Sequence, residues 1–109
     1  STSLTMTEGA VGVDAAKKVT FKHGSALVEL EESGKVKVVS GVEIELVVGG
    51  CRVRMAEGKI EVTAPVELVL TSGTAGVKLD AQGLTQSGAN VRTTAESVHE
   101  IVGLVVKIN

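Results

Sequence analysis

Aromatic side chains are almost absent from this sequence of 109 residues, which contains one Phe and neither Trp nor Tyr. A compact monomer of that length buries roughly two-thirds of the surface that its unfolded chain exposes, and large rings normally fill much of the core. Small β-branched residues and Leu must fill the core instead. Because such residues suit a narrow axis built of thin layers, the composition favours a core that several chains share.

Cysteine and proline are also scarce, with one residue of each, and the formal net charge is only −2. The single Cys51 excludes a disulfide framework within one chain, and we interpret it as a small core residue. Without a basic stripe or aromatic platforms, we expect no nucleic-acid partner. We expect neither a membrane helix nor a signal peptide, because no apolar run approaches ~20 residues and the start is not basic. Since residue 1 is Ser, we expect a fragment of a longer chain.

What the sequence does contain is a regular alternation of apolar and polar residues, clearest over residues 36–70. This period is typical of β-strands with one apolar face and one charged face. Its parity flips across Gly49-Gly50 and again near Gly58, as glycine corners that consume an odd number of residues require. We therefore predict short strands, with Pro65 at a corner because proline cannot donate to a ladder.

Three segments depart from this pattern or lie outside it. Residues 14–18 have some helix propensity, but they are too few for a stable helix and are predicted to form a corner before a strand. The alternation fades over residues 89–100, where we expect a helical turn or an irregular wrap. Residues 101–109 regain strand character. No linker divides the chain, so we predict a single domain over residues 1–109.

Short strands in one chain leave unpaired edges, which aggregate unless the sheet closes or pairs with other chains. Three chains wound about one axis would remove these edges, with each strand paired to strands of the neighbouring copies. The alternative, a single-chain solenoid, needs longer rungs of roughly 20 residues or more. We predict an all-β fold, a triple-stranded β-helix formed by an intertwined homotrimer. Its predicted core consists of Val19, Phe21, Val36, Val38, Val42, Ile44, Leu46, Val53, Met55, Ile60, Val62, Val66, Leu68, Leu70, Val77 and Leu79.

Two segments of the sequence resemble motifs of a known protein family. Residues 103–109, Gly-Leu-Val-Val-Lys-Ile-Asn, resemble the Gly-x-Leu-Val-Lys-Ile-Asn ending common in VgrG spike proteins of bacterial type VI secretion. Residues 14–20, Asp-Ala-Ala-Lys-Lys-Val-Thr, are similar to the Asp-Ala-Ala-Lys-x-Val-Thr phrase of the needle in those proteins. The glycine-cornered alternation between them is also similar to those needles, so the resemblance covers nearly the whole chain. Contractile-phage tail spikes share this alternation.

The resemblance implies a structural protein and not an enzyme: the C-terminal needle of a trimeric spike that a contractile sheath pushes through a target membrane. It implies assembly in the bacterial cytoplasm, injection into a target cell, effector proteins as cargo and a PAAR-repeat protein that caps the tip. The residues expected to bind this cap are Leu104, Val106, Lys107, Ile108 and Asn109. The alternative is a trimeric phage spike or surface fibre that binds a receptor, although aromatic residues for sugar stacking are missing.

Few residues are candidates for chemistry. Threefold symmetry would place three copies of His23 near the axis, where they could hold an ion or water, but a core or corner histidine is the simpler interpretation. We predict no metal site and no cofactor. Ser97, His99 and Glu100 do not have the spacing of a catalytic triad, so we predict no catalytic residue. The charged residues Glu43, Glu45, Arg52 and Arg54 are predicted to pair across strands at the surface.

Overall fold

A computed structural model describes residues 2–109 and gives this part of the chain eleven β-strands and no helix. The all-β prediction is therefore confirmed. The strands are β1 (Thr2–Thr7), β2 (Ala10–Ala15), β3 (Lys18–His23), β4 (Ala26–Glu31), β5 (Val36–Val39), β6 (Glu43–Val48), β7 (Cys51–Ala56), β8 (Lys59–Thr63), β9 (Glu67–Ser72), β10 (Ala75–Asp80) and β11 (Gly83–Ser87).

The strands form four small antiparallel sheets, each made of strands that follow one another in the chain. The first sheet pairs β1 with β2, the second joins β3 to β5, the third β6 to β8, and the fourth β9 to β11. These pairs are all within one chain, and pairing of the strands with those of neighbouring copies stays a prediction. A loop of two residues brings the next strand back at small entropic cost, so each strand finds its partner locally.

Glycine allows the tightest of these loops. Gly49 has a φ of 56° in the two-residue loop between β6 and β7, and Gly58 has a φ of 74° between β7 and β8. Residues other than glycine rarely adopt positive φ angles of this size. Each loop places the residues that flank it opposite each other, as Val48 and Cys51 show. The flanking residues are three positions apart and share a face, so a loop of two residues flips the parity at both positions. The prediction that such corners consume an odd number of residues is wrong.

The connections between sheets are longer and carry different signals. Ser40 Oγ accepts hydrogen bonds from the backbone N–H groups of Val42 and Glu43, at 3.2 and 3.1 Å, and so caps the entry to β6. Pro65 lies between the end of β8 and the start of β9, so the predicted corner there is confirmed. The corner predicted over residues 14–18 is shorter in the structure: only residues 16 and 17 lie between the strands, because Asp14 and Ala15 belong to β2 and Lys18 begins β3.

Contacts between residues divide the chain into two units, Ser1–Pro65 and Val66–Asn109. That residues 1–109 form a single domain stays a prediction. The first unit contains the first three sheets, and the second contains the fourth sheet and the C-terminal segment. Residues 89–109 form neither strand nor helix, so the strand predicted over residues 101–109 is wrong. Their side chains suit a strand, but this segment has no partner strand in the single chain.

Candidate functional site

Each sheet has one strongly apolar face, and this face is the candidate functional surface. In the third sheet, the strand register places Ile44 opposite Met55 and Leu46 opposite Val53, so all four lie on one side. The predicted core residues within strands share such faces in the second sheet (Val19, Phe21, Val36, Val38), the third (Ile44, Leu46, Val53, Met55, Ile60, Val62) and the fourth (Leu68, Leu70, Val77, Leu79). The predicted alternation is confirmed; burial of these residues by other copies stays a prediction.

Two of the predicted core residues lie outside the strands. Val42 is in the connection between β5 and β6, and Val66 is in the connection between β8 and β9. Both are largely exposed, at 76% and 81% of their accessible surface. Their spacing from the next apolar residues predicted that they belong to strands. In the structure β6 and β9 begin only after them.

Within residues 2–109, nothing buries these apolar faces. Among residues 2–109 no side chain is buried, and Ile60 exposes 73% of its surface. The accessible surface is 9817 Å², whereas a compact folded chain of 11.1 kDa exposes roughly 5,700 Å². The surplus of roughly 4,100 Å² is several times the ~800 Å² that each partner buries in a standard protein interface. The chain therefore exposes much more surface, polar and apolar together, than a compact monomer of its mass.

The opposite face of the third sheet carries a charged network centred on Arg54. Its guanidinium contacts Glu43 through Nε, and its Nη1 donates to Glu61 Oε1 at 2.8 Å. Arg52 Nη1 lies 4.0 Å from Glu45 Oε1, so the predicted surface pairs are confirmed. Glu61 was not among the predicted partners of Arg54. Its polar parity on β8 is a sequence signal that would have placed it there, since it lies directly opposite Arg54.

The second sheet repeats this arrangement. Lys18 Nζ lies 2.7 Å from Glu29 Oε1 on the face opposite Phe21 and Val28. The hydrogen bond from Lys18 holds the pKa of Glu29 below its ordinary value, and the same contact raises the pKa of Lys18. Charged pairs thus mark the faces that require water, while the apolar faces contain no such pair.

Two reactive side chains lie on the apolar faces. His23 is opposite Ala26 in the second sheet and shares a face with Phe21, and Cys51 is opposite Val48 in the third. Within residues 2–109 no group of three His, Cys, Asp or Glu side chains lies close enough to hold a metal ion. The suggestion that several copies of His23 meet at an axis concerns an assembly and stays a prediction.

The predicted cap-binding residues lie in the segment without regular structure. Leu104 is completely exposed and Ile108 is exposed to 90%. Val106 is half-exposed, and Lys107 and Asn109 are exposed too. These residues are brought together only by their proximity in sequence, and their role at a tip stays a prediction.

The same segment contains the three residues whose spacing does not fit a catalytic triad. Ser97, His99 and Glu100 are all exposed, and the structure of residues 2–109 gives no hydrogen bond between them. A triad requires a nucleophile, a base and an orienting group in hydrogen-bond contact, so this arrangement has no support for nucleophilic chemistry.

Comparisons of the chain with protein-family models, with curated proteins and with solved structures give no match. Among residues 2–109, no helix is long and apolar enough to cross a membrane.

Proposed function

We propose that this chain is the needle region of a trimeric, VgrG-like spike of a type VI secretion machine. In this proposal three copies form a triple-stranded β-helix, with the apolar face of each sheet turned toward the shared axis. The spike punctures a target membrane when a contractile sheath drives it forward. The resemblance of residues 103–109 and 14–20 to VgrG needles supports the family.

The observation that carries the proposal is that every sheet is one-sided and its apolar side is bare. Met6, Phe21, Leu46 and Leu70 represent the four apolar faces, and each exposes more than half of its surface. Burial of apolar area stabilises an assembly by ~25 cal/mol per Å², so exposed apolar faces favour association. Further copies of the same chain supply matching faces without any other partner.

The polar faces explain why association stops at a closed fibre. The ion pairs of Arg54 with Glu43 and Glu61 keep one side of the third sheet hydrated, and Lys18 with Glu29 does the same in the second. A small closed ring of sheets buries the apolar side of each sheet at the centre and leaves the charged side in water. A fibre closed in this way resists bending and local opening, which is the mechanical property that puncturing requires.

The proposed partners follow from this arrangement. A PAAR-repeat protein caps the tip at Leu104, Val106, Lys107, Ile108 and Asn109, and effector proteins travel with the spike. Contact with the target membrane is transient, and the chain acts without cofactor, nucleic acid or catalysis. It assembles in the bacterial cytoplasm and is injected from there.

A pair of neighbouring residues tests the assembly. Leu46 and Val47 follow each other on β6, expose 64% and 55% of their surface in the single chain, and lie on opposite faces. We expect Leu46→Asp to abolish the trimer in sedimentation velocity, since a carboxylate would enter the dry axis. Val47→Asp, opposite Arg52, is expected to leave it intact. A monomeric wild-type chain, or equal effects of the two changes, would contradict the proposal.

A second experiment tests the tip. Ile108→Asp is expected to abolish binding of a PAAR-repeat protein from the same bacterium in a pull-down, because the cap packs on apolar side chains at the end of the fibre. Sedimentation velocity of the same variant should still show the trimer, and Val47→Asp should bind the cap as the wild type does. A wild-type trimer that binds no PAAR-repeat protein would favour the alternative, a receptor-binding fibre.

A further inference from the structure

The two methionines of the chain occupy the same place in two different sheets. Met6 is the fifth residue of β1 and Met55 is the fifth residue of β7, and a loop of Glu and Gly follows both strands. The glycines of both loops have positive φ angles. The fifth residue is instead Leu30 in β4 and Leu79 in β10. Methionine and leucine thus share one structural role, but only methionine is readily oxidised.

Both methionine side chains lie on apolar faces and are accessible in the single chain. Met55 lies between Ile44 and Ile60 in the third sheet, and Met6 lies opposite Val11 in the first. Met6 exposes 72% of its surface and Met55 exposes 39%. A small oxidant in solution therefore reaches both thioethers before any other copy covers them.

Oxidation would change what these faces can bury. Hydrogen peroxide transfers one oxygen atom to the thioether sulfur, the O–O bond breaks, and the second oxygen leaves as water. The sulfur is oxidised by two electrons and now carries an oxygen that accepts hydrogen bonds. Around Met55 this face offers no N–H or O–H donor, because its neighbours are Ile44, Leu46, Val53 and Ile60. Burial there leaves the sulfoxide oxygen unsatisfied.

We infer that Met6 and Met55 form a redox switch on assembly. A peroxide oxidises them in separate chains and so keeps those chains out of the trimer, whereas the assembled trimer covers both sulfurs. The inference rests on the proposed trimer and names a regulation of it. The switch is reversible, because methionine sulfoxide reductases restore the thioether. Leu30 and Leu79 leave the second and fourth sheets insensitive to the oxidant.

The test uses the full chain with Cys51→Ala, which removes the other oxidisable sulfur. Alanine suits this position, since Ala26 and Ala75 are the first residues of β4 and β10, as Cys51 is of β7. The chain is oxidised with hydrogen peroxide in urea, where copies are separate, and then returned to buffer without peroxide. Mass spectrometry counts the added oxygen atoms.

Sedimentation velocity then measures assembly of the oxidised and the untreated chain. We expect the oxidised chain to require a concentration at least ~10-fold higher for half-assembly. Treatment with the two reductases, one for each sulfoxide epimer, should restore the untreated behaviour. Equal assembly of oxidised and untreated chains overturns the inference and leaves the proposed function standing, as does a repaired chain that stays monomeric beside an untreated trimer.

The matched variant carries Met6→Leu and Met55→Leu in the same background. It should assemble equally well with and without peroxide treatment, and a loss of assembly after treatment overturns the inference. In the assembled chain without these changes, Met55 should be oxidised at least ~10-fold more slowly than in separate chains. Equal oxidation rates in an established trimer overturn the inference too. An untreated wild-type chain that is monomeric contradicts both proposals.

Discussion

Arg54 and Glu61 face each other across β7 and β8, and Nη1 of Arg54 donates to Oε1 of Glu61 at 2.8 Å. This hydrogen bond, together with nearby Lys59, holds the pKa of Glu61 below its ordinary value. Contacts with Glu43 and then Glu61 raise the pKa of Arg54. One guanidinium thus joins β6 and β8 across β7 on the charged side of the third sheet.

The lowered pKa of Glu61 predicts a dependence of stability on pH. A carboxylate with a lowered pKa in the folded state stabilises the fold above the ordinary glutamate pKa, and this contribution is lost as the pH falls through the lowered value. We expect the melting temperature of Glu61→Gln to fall less steeply with acidification than that of the wild type. Thermal melts followed by circular dichroism across the acidic range measure both slopes.

The matched control for this change is Glu57→Gln. Glu57 lies in the loop between β7 and β8 and makes no ion pair among residues 2–109. The melting temperature of Glu57→Gln should change with pH as steeply as that of the wild type. If Glu61→Gln also matches the wild type, the Arg54 network contributes nothing measurable, as many exposed ion pairs do.

Gly50 predicts a steric effect in the loop between β6 and β7. A Cβ atom at this position would lie 2.6 Å from Cγ of Pro65, which no real contact allows. We expect Gly50→Ala to destabilise the fold by ~1–3 kcal/mol in urea unfolding, because the loop or the proline must shift. The double variant Gly50→Ala with Pro65→Ala should recover part of that loss.

The control for the glycine experiment is Gly12→Ala on β2. Its Cβ would have nothing nearer than 3.9 Å, and its φ is not positive, so alanine should be neutral or stabilise the fold by ~0.4–1 kcal/mol. Equal losses for the two alanine variants would show that the contact with Pro65 does not limit position 50.

Cys51 reports on coverage of the apolar face. Its thiol is exposed in the single chain and lies on the same face as Leu46 and Val53. In the assembled protein we expect its reaction with a thiol reagent to slow by at least ~10-fold, which corresponds to an opening free energy of ~1.4 kcal/mol. Absorbance of the released chromophore measures the rate above and below the dissociation concentration.

A cysteine on the other side of the same sheet is the control for this labelling. Thr63 lies opposite Arg52 on the charged face, so Thr63→Cys in a Cys51→Ser background should react quickly in both states. Rapid labelling of Cys51 in the assembled protein would mean that the apolar face of the third sheet is left uncovered.

The faces of the sheets were predictable from sequence, but the pairing of the strands was not. Val53 is apolar and Arg54 is charged, which predicts that they lie on opposite faces of the sheet. The strand register confirms this prediction. Alternation does not say which strand is the neighbour, and the two-residue loop at Gly49 decides that locally. Residues 101–109 show the same limit: they are strand-forming in composition, but a strand needs a partner and one chain provides none.

The pairing of each strand with the next along the chain has a kinetic consequence. All seven strand pairs of the described residues join neighbours in sequence, so contact order within the sheets is low and the hairpins close in microseconds. Encounters between copies depend on concentration and are slower. Refolding and assembly should therefore show a fast phase that does not depend on protein concentration. A slow phase should follow, and its rate should increase with protein concentration.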